Sequence, residues 1–285
     1  AKWPLRWTVR TESHSSSLMF TSMRSRRVAT ETGDLHVEEH GDGDPLLLIQ
    51  GLGQGLWAWR DQVSAFSRSY RTIVFDLRGT GRSPRPPGPY RIGDLARDAA
   101  TVLGDSRADV VGLSMGGYIA LTLALERPEL VRSLVLVSTG AGGADRTRRP
   151  LDVRDAFLDA LKRPYEEYAR ATMPYTFAPG WAEVNRDRYD EILAVRLENP
   201  ATRETIDAHG AACQRFYDEG CAVESIEAPA LVVHGDADRI LPVENGRRLA
   251  ARLPNARYVE LPGAGHNLPL EDPETFNQTV LDFLR

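Results

Sequence analysis

A serine between two glycines is the strongest chemical signal in this chain. The sequence Gly-Leu-Ser-Met-Gly at 112–116 follows an apolar run at 108–111 that predicts a buried strand, and it precedes a predicted helix at 117–125. A Gly-x-Ser-x-Gly turn between strand and helix is a nucleophile elbow, which lifts the serine hydroxyl clear of the sheet. Glycine is needed on both sides because a Cβ would clash in so tight a turn. The pattern predicts that Ser114 is a nucleophile.

An acid and a histidine follow in the order that such a serine requires. Asp236 and Asp238 come after a predicted strand at 230–233, and His266 lies on a glycine-rich loop after a predicted strand at 256–261. Asp238 is the favoured acid because the loop must leave the strand before a side chain can turn back. Asp236 is the alternative, and its other role would be to cap the turn. An imidazole with a pKa of ~6.5 can take the serine proton, and a buried aspartate holds its tautomer.

Two backbone N–H groups are expected to hold the negative charge that develops on the attacked oxygen. One belongs to Met115, directly after the serine, and the other belongs to the glycine-rich loop at 50–55, which follows a predicted strand at 45–49. Leu52 is the favoured donor in this loop, with Gly53 as the alternative. Removing one such donor typically lowers turnover by ~10²–10³-fold.

Five segments together resemble the α/β-hydrolase family. They are Gln-Gly-Leu-Gly at 50–53, Asp-Leu-Arg-Gly-Thr-Gly-Arg-Ser at 76–83, the serine turn at 112–117, Gly-Asp-Ala-Asp at 235–238 and Gly-Ala-Gly-His at 263–266. The resemblance implies an α/β fold with a mostly parallel, eight-stranded, doubly wound sheet and an inserted helical cap. It also implies a serine triad made of Ser114, Asp238 and His266. Many members carry His-Gly before the oxyanion loop, whereas this chain has Gln50, whose amide could hold the loop instead.

A narrower resemblance concerns the substrate. Residues 86–98 and the Ser-Met-Gly-Gly at 114–117 are similar to segments of 3-oxoadipate enol-lactonases, and the same features occur in bacterial esterases. This resemblance implies hydrolysis of a carboxylic ester or lactone of small to medium, partly apolar character. Cofactor-free haloperoxidases (perhydrolases) and carbon–carbon bond hydrolases share the same skeleton and remain alternatives. A ligand sensor built on a hydrolase scaffold is a further alternative.

Composition narrows the function classes. The chain has 285 residues, 42% of them hydrophobic and 26% charged, which is typical of a soluble globular protein. A net charge of −5 argues against a nucleic-acid partner. The sequence shows no nucleotide-binding loop, zinc spacing or apolar run of membrane-spanning length, so we expect no cofactor, no metal and no membrane partner. The expected partner is a small-molecule ester or lactone, and a homodimer is left open.

The cysteine count and the N-terminus suggest a cellular location. Cys213 and Cys221 are interpreted as two thiols, with a single disulfide as the alternative. Residues 1–27 contain serine and arginine clusters but lack the apolar core of a signal peptide. We interpret them as an N-terminal extension, or a mobile tail, with Met23 close to where the domain could begin, and expect a cytoplasmic protein.

Strands and helices alternate along most of the remaining chain. This alternation predicts a hydrolase core made of residues 28–140 and 229–285. It stops between these parts, where residues 141–228 carry predicted helices at 151–161, 165–172, 187–197 and 201–217. A helical cap inserted between two sheet strands would cover the site and exclude water.

Aromatic side chains are abundant in the cap and after the oxyanion loop. Most aromatics at helical spacing pack in the core, but a minority should line an apolar pocket. Six are predicted to contact substrate: Trp57, Trp59, Tyr118, Tyr175, Phe177 and Trp181. A cap arginine such as Arg170 or Arg196 could bind a substrate carboxylate, although a solvated helix face is the commoner role.

Overall fold

A computed structural model describes residues 22–285 of the chain. Eight strands form a single sheet. They are β1 (Met23–Thr30), β2 (Gly33–His40), β3 (Asp44–Ile49), β4 (Tyr70–Phe75), β5 (Ala108–Leu113), β6 (Val131–Val137), β7 (Ala230–Gly235) and β8 (Ala256–Leu261). Their order across the sheet is β1-β2-β4-β3-β5-β6-β7-β8. Strand β2 pairs antiparallel with β1 and β4, and every other pairing is parallel.

Helices cover both faces of this sheet. They are α1 (Arg60–Phe66), α2 (Ile92–Leu103), α3 (Met115–Glu126), α4 (Leu151–Ala160), α5 (Tyr165–Thr172), α6 (Trp181–Val184), α7 (Arg186–Glu198), α8 (Arg203–Glu219), α9 (Glu244–Arg252), α10 (Leu268–Glu271) and α11 (Pro273–Leu284). Among residues 22–285, no helix is both long enough and apolar enough to cross a membrane.

The central strands are buried on both faces, which explains their continuous apolar runs. In β3, Leu47 and Ile49 enter a core shared with α2 and α3, whereas Leu46 and Leu48 enter a second core shared with α1 and α11. Side chains alternate between the two faces of a strand, so a strand between two helical layers needs apolar residues at every position. Because β3 to β8 pair in parallel, the carboxyl ends of these strands lie at the same end of the sheet.

Helices α4 to α8 lie between β6 and β7, in the region predicted to form the cap. One apolar cluster joins this region to the core, because Trp57 and Leu270 pack with Phe177, Tyr189 and other residues of the cap. Helix α5 has the bounds that the sequence predicts, 165–172. The other predicted cap helices differ from the observed ones by one or two residues at their ends.

The first strand differs from the sequence prediction. Strand β1 begins at Met23, inside the segment 1–27 that was assigned to an N-terminal extension. It pairs with the full length of β2, and Arg26 donates to Glu39 and to the Val102 carbonyl. Residues 23–27 therefore belong to the sheet edge, where their polar side chains suit an exposed strand. The rest of the predicted extension, residues 1–21, lies outside the described residues.

Both cysteines are free thiols. Cys213 lies on α8, and Cys221 follows the end of that helix after one further residue. Burial raises the pKa of each thiol to about 12. The thiolate is the reactive form of cysteine, so neither side chain is suited to nucleophilic chemistry at neutral pH.

Candidate active site

Ser114 occupies the strained turn between β5 and α3. Its backbone has φ 56° and ψ −115°, a conformation that non-glycine residues rarely adopt. The turn is held from outside, because the Ser114 N–H donates to the Val137 carbonyl at 2.9 Å and Thr139 Oγ1 donates to the Ser114 carbonyl at 2.9 Å. Strain of this kind persists only where the surrounding structure enforces it, and it is common at functional sites.

The glycines around Ser114 are required by close backbone contacts. A Cβ at Gly112 would lie 2.4 Å from the Gly116 carbonyl oxygen, and a Cβ at Gly116 would lie 2.0 Å from the Ile49 carbonyl oxygen. Both distances are far below van der Waals contact. The sequence argument for glycine at these two positions therefore has a direct structural cause, namely the packing of the turn against itself and against β3.

Asp238 and His266 form a buried hydrogen-bonded pair. His266 Nδ1 lies 2.7 Å from Asp238 Oδ2, and both side chains are almost fully buried. The contact occupies Nδ1 and leaves Nε2 as the ring atom that can exchange a proton with another group. The structure thus brings together two of the three predicted catalytic side chains. Within residues 22–285, the Ser114 hydroxyl makes no hydrogen bond to the His266 ring, so the third contact stays a prediction.

The sheet places the three residues at the carboxyl ends of its parallel strands. Ser114 directly follows β5, Asp238 lies three residues beyond β7, and His266 lies five residues beyond β8. These strands are parallel, and only β6 separates β5 from β7. The carboxyl ends of strands in open α/β sheets are where ligands usually bind.

Asp238 is saturated with donors. Its Oδ1 accepts from the N–H groups of Ile240 at 2.8 Å and Leu241 at 2.9 Å. Its Oδ2 faces His266 Nδ1 and also His234 Nε2 at 3.2 Å. Burial alone would raise the pKa of Asp238, but the His266 charge and the hydrogen bonds from His234 and His266 outweigh it and hold the pKa well below its usual range. The carboxylate is therefore a fixed negative charge at neutral pH.

The alternative acid has a different role. Asp236 is exposed, and its Oδ1 accepts from the Gly263 N–H at 2.6 Å. This contact joins the loop after β7 to the loop after β8. Asp236 therefore shapes the turn, which is the structural role that its sequence position suggested.

The predicted oxyanion loop is held by side-chain amides. Gln50 Nε2 donates to the Phe75 carbonyl at 2.8 Å, and Gln54 Oε1 accepts from the Gly51 N–H at 3.0 Å. The Gln50 amide thus joins the carboxyl ends of β3 and β4. Gln50 therefore holds this loop through its amide, as its sequence position suggested.

A cap histidine also bonds to this loop. The Gly53 N–H donates to His209 Nδ1 at 3.3 Å, while His209 Nε2 lies 3.0 Å from the Arg78 carbonyl. Burial lowers the pKa of His209 to about 4, so the ring is neutral and carries its proton on Nε2. The Gly53 N–H is engaged in this contact, which favours Leu52 over Gly53 as the second oxyanion donor. The sequence placed His209 only in a helix, because no local pattern shows what α8 packs against.

The six aromatic residues predicted to contact substrate lie in different surroundings. Trp59 is 0% exposed and packs in the core between the sheet, α1 and α11. Trp57, Phe177 and Trp181 belong to the cluster that joins cap and core, where the last two rings stack with centroids 4.5 Å apart. Tyr118 stacks on Phe216 at 4.4 Å. Tyr175 is half-buried beneath the guanidinium of Arg239.

Glu271 is a titratable group near the site that no local sequence pattern indicates. Its carboxylate accepts from the Gly265 N–H at 3.0 Å and from the Ala178 N–H at 3.3 Å. It therefore joins the loop that carries His266 to the cap. Burial raises the pKa of Glu271 to about 7, and the negative charges of Asp238 and Asp272 add to this effect.

Gly116→Ala tests the close packing of the turn. A methyl group there would lie 2.0 Å from the Ile49 carbonyl oxygen, so the backbone must move. We expect the free energy of unfolding to fall by about 3 kcal/mol or more. Urea denaturation measures the change. The control is Gly210→Ala in α8, where a Cβ has no neighbour within 4 Å and a gain of about 0.5–1 kcal/mol is expected. Equal stability of the two variants would contradict the packing argument.

Glu271→Gln tests the titration beside His266. The folded-state pKa of about 7 lies above the usual 4.5, so the stability contributed by the protonated carboxyl is complete below pH 4.5 and is lost as pH rises through 7. We expect the free energy of unfolding of the wild type, relative to Glu271→Gln, to fall between about pH 5 and pH 8 by at most ~1.4 kcal/mol per pH unit. Urea denaturation across this range measures the difference.

Glu274→Gln is the matched control for that titration. Glu274 is exposed on α11, three residues after Glu271. The variant therefore removes the same charge from a position in contact with solvent. Its pH profile should run parallel to that of the wild type. A profile of Glu271→Gln that is also parallel to the wild type would contradict the assignment.

Comparison with known proteins shows the family to which this chain belongs. The family described as "alpha/beta hydrolase fold" matches residues 44–273. A relative from Azorhizobium caulinodans, named "Putative carbamate hydrolase RutD", is 34% identical over 256 residues, which cover 88% of this chain and 94% of the relative.

Solved structures agree with this placement. The enol-lactonase from Burkholderia xenovorans is 29% identical with a TM-score of 0.69, covering 93% of this chain and 96% of its own. The structure titled "Putative non-heme bromoperoxidase BpoC" from Mycobacterium tuberculosis is 31% identical with a TM-score of 0.72, covering 88% and 95%. The eight-stranded, mostly parallel sheet and the family match lead to one conclusion: this chain is a hydrolase of the α/β-hydrolase family.

Proposed function

We propose that this hydrolase cleaves a carboxylic ester or lactone through an acyl-enzyme formed on Ser114. The observation that carries the proposal is the buried Asp238–His266 pair, with its 2.7 Å contact, at the sheet edge that also bears the strained Ser114 turn. The relatives named carbamate hydrolase and enol-lactonase support acyl-transfer chemistry at this site.

The first half of the reaction uses all three side chains. Ser114 Oγ attacks the carbonyl carbon while His266 Nε2 accepts the hydroxyl proton. Asp238 keeps the opposite ring nitrogen protonated and stabilises the imidazolium, which requires the carboxylate to stay charged. The Met115 and Leu52 N–H groups are the proposed donors to the oxyanion, and Met115 stands at the positive N-terminal end of α3.

The first tetrahedral intermediate then collapses to the acyl-enzyme. The bond between the carbonyl carbon and the leaving oxygen breaks as that oxygen takes the His266 proton, and the alcohol departs, or stays attached to the acyl group when the substrate is a lactone. The second half regenerates the enzyme. A water molecule then gives a proton to His266 Nε2 and attacks the acyl carbon. Collapse of this second intermediate returns the proton to Ser114 and releases a carboxylic acid.

Two other substrate classes are supported by particular relatives. The carbamate hydrolase name of the Azorhizobium relative favours a carbamate, in which the attacked carbonyl carries nitrogen. The bromoperoxidase title of the Mycobacterium structure favours perhydrolysis, in which hydrogen peroxide replaces water in the second half. Ester or lactone hydrolysis remains the first proposal because it needs only water as the second reactant.

Ser114→Ala tests the nucleophile. Without the hydroxyl no acyl-enzyme can form, so we expect kcat for a short p-nitrophenyl ester to fall at least ~10⁴-fold. Release of p-nitrophenol measures the rate, and circular dichroism verifies folding. The control is Ser64→Ala, an exposed serine of α1, which should keep wild-type activity.

Labelling and product analysis distinguish the alternatives. A fluorophosphonate should label the wild type at Ser114 and leave Ser114→Ala unlabelled. Full turnover by Ser114→Ala would refute the nucleophile assignment. Labelling without turnover of any ester, lactone or carbamate would favour a ligand sensor, and a peracid rate above the hydrolysis rate would favour perhydrolysis.

A further inference from the structure

The loop at 50–55 lies directly against the nucleophile turn. A Cβ at Gly51 would lie 3.6 Å from Ser114 Cβ, which is ordinary van der Waals contact. On the other side of the same contact, a Cβ at Gly116 would lie 2.0 Å from the Ile49 carbonyl oxygen, where β3 ends. A change in the shape of this loop therefore alters the surroundings of the Ser114 side chain.

Most N–H groups of this loop already have acceptors. The Gly51 N–H donates to Gln54 Oε1 at 3.0 Å, and the Gln54 N–H donates to the Gly51 carbonyl at 3.3 Å. The Gly53 N–H donates to His209 Nδ1 at 3.3 Å. Within residues 22–285, the Leu52 N–H has no such acceptor. A backbone N–H needs a partner, so the Leu52 N–H is the group of residues 51–54 that is left to donate to a ligand.

The cap packs on this loop at Gly53. The Gly53 backbone is left-handed, with φ 68°, which favours glycine. A Cβ there would lie 3.7 Å from Ala201 Cβ and 3.7 Å from Ile206 Cγ1 of α8. The Leu52 side chain packs against the apolar cluster that contains these two cap residues. Apolar contacts therefore hold the loop beside α8 and support the longer hydrogen bond to His209.

The surroundings of His209 make its Nδ1 an acceptor. Its Nε2 lies 3.0 Å from the Arg78 carbonyl, which can only accept. A neutral imidazole has one donor and one acceptor nitrogen, so Nδ1 keeps its lone pair. The ring is 0% exposed, and burial lowers the pKa of His209 to about 4, which keeps the ring neutral at neutral pH. The tautomer that suits the Gly53 N–H is thereby fixed.

The carbonyl that fixes this tautomer is itself held in place. The Arg78 guanidinium makes two bonds to the buried Asp98, at 2.6 and 2.7 Å. One residue later, the Gly79 carbonyl accepts from Thr205 Oγ1 of α8 at 2.9 Å. Helix α8 is thus bonded to two successive carbonyls of the core, and His209 extends this support to the oxyanion loop.

We propose that His209 is a positioning residue for the oxyanion site: its Nδ1 holds the Gly53 N–H and so keeps the neighbouring Leu52 N–H oriented towards the attacked oxygen. This inference rests on the proposed function, because it assigns the Leu52 N–H to an oxyanion formed on a substrate carbonyl. Donors act most strongly on developing charge when their orientation is fixed before the reaction. His209 acts through the loop rather than on the substrate.

Two amide variants separate the roles of the two ring nitrogens. In His209→Asn the side-chain oxygen can replace Nδ1 and accept from Gly53, whereas in His209→Gln the amide nitrogen can replace Nε2 and donate to Arg78. For a short p-nitrophenyl ester, we expect His209→Gln to lower kcat about 10–100-fold, because a displaced oxyanion donor is lost mainly from the transition state. KM should stay within about threefold. His209→Asn should keep kcat within about fivefold of the wild type.

Thr205→Val is the matched control. It removes a buried hydrogen bond between α8 and the Gly79 carbonyl, one turn before His209. The Thr205 hydroxyl otherwise bonds only to Thr202, so the variant leaves the hydrogen bonds of the oxyanion loop in place. Stability should fall, while kcat stays within about threefold of the wild type. Urea denaturation of every variant shows how much each substitution destabilises the fold.

Three outcomes would overturn the proposal. Wild-type kcat in His209→Gln would show that the Gly53 contact does not affect the reaction. Equal losses of kcat in His209→Asn and His209→Gln would assign the ring to packing, because the acceptor alone would then have no effect. A fall in kcat for Thr205→Val as large as that for His209→Gln would assign the effect to the docking of α8.

The rate at which a fluorophosphonate labels Ser114 separates this inference from the proposed function. The same N–H donors stabilise the phosphoryl oxygen during labelling, so His209→Gln should be labelled about 10-fold more slowly than the wild type, and His209→Asn at nearly the wild-type rate. This pattern in a protein that hydrolyses no ester, lactone or carbamate would support the role of His209 and refute the ester hydrolase proposal alone. Ester turnover through Ser114 with equal labelling rates in all three proteins would refute the role of His209 alone. Absence of labelling in the wild type would refute both.

Discussion

The candidate site depends on one buried charge, the Asp238 carboxylate. A buried carboxylate is stable only when donors replace the water it has lost. Here two backbone N–H groups hold one oxygen, and two imidazole rings face the other. The backbone donors come from the same loop, so the acid and its support form a single unit. This unit fixes the plane and the tautomer of His266.

His234 supports the Asp238 carboxylate and belongs to the same hydrogen-bonded group. Its Nε2 lies 2.8 Å from the Leu241 carbonyl as well as 3.2 Å from Asp238. A Cβ at Gly246 would lie 2.3 Å from its Nδ1, so α9 packs directly on the ring. The imidazole fills the space beneath the carboxylate and keeps water away from it. A fully buried ring in this place connects the packing of α9 to the electrostatics of the predicted catalytic acid.

Several polar contacts join the cap to the core around the site, and each involves a loop with a predicted catalytic role. Glu271 connects the His266 loop to the cap, and His209 connects α8 to the oxyanion loop. Arg149 connects the start of the cap to the Asp238 loop. These three contacts fix the cap residues against the loops that carry the candidate catalytic groups. Changes in cap residues can therefore alter the geometry of the loops.

The sequence alone determined the fold class, the order of most strands and helices, and the candidates Ser114, Asp238 and His266. These features depend on local constraints: two-sided burial requires apolar strands, and a tight turn requires glycine. Only the tertiary structure decided that residues 23–27 form an edge strand, that Trp59 packs in the core, and that His209, His234 and Glu271 support the site. Each of these depends on contacts between residues far apart in the chain. Local patterns determine which face of an element is apolar, but only packing determines what that face meets.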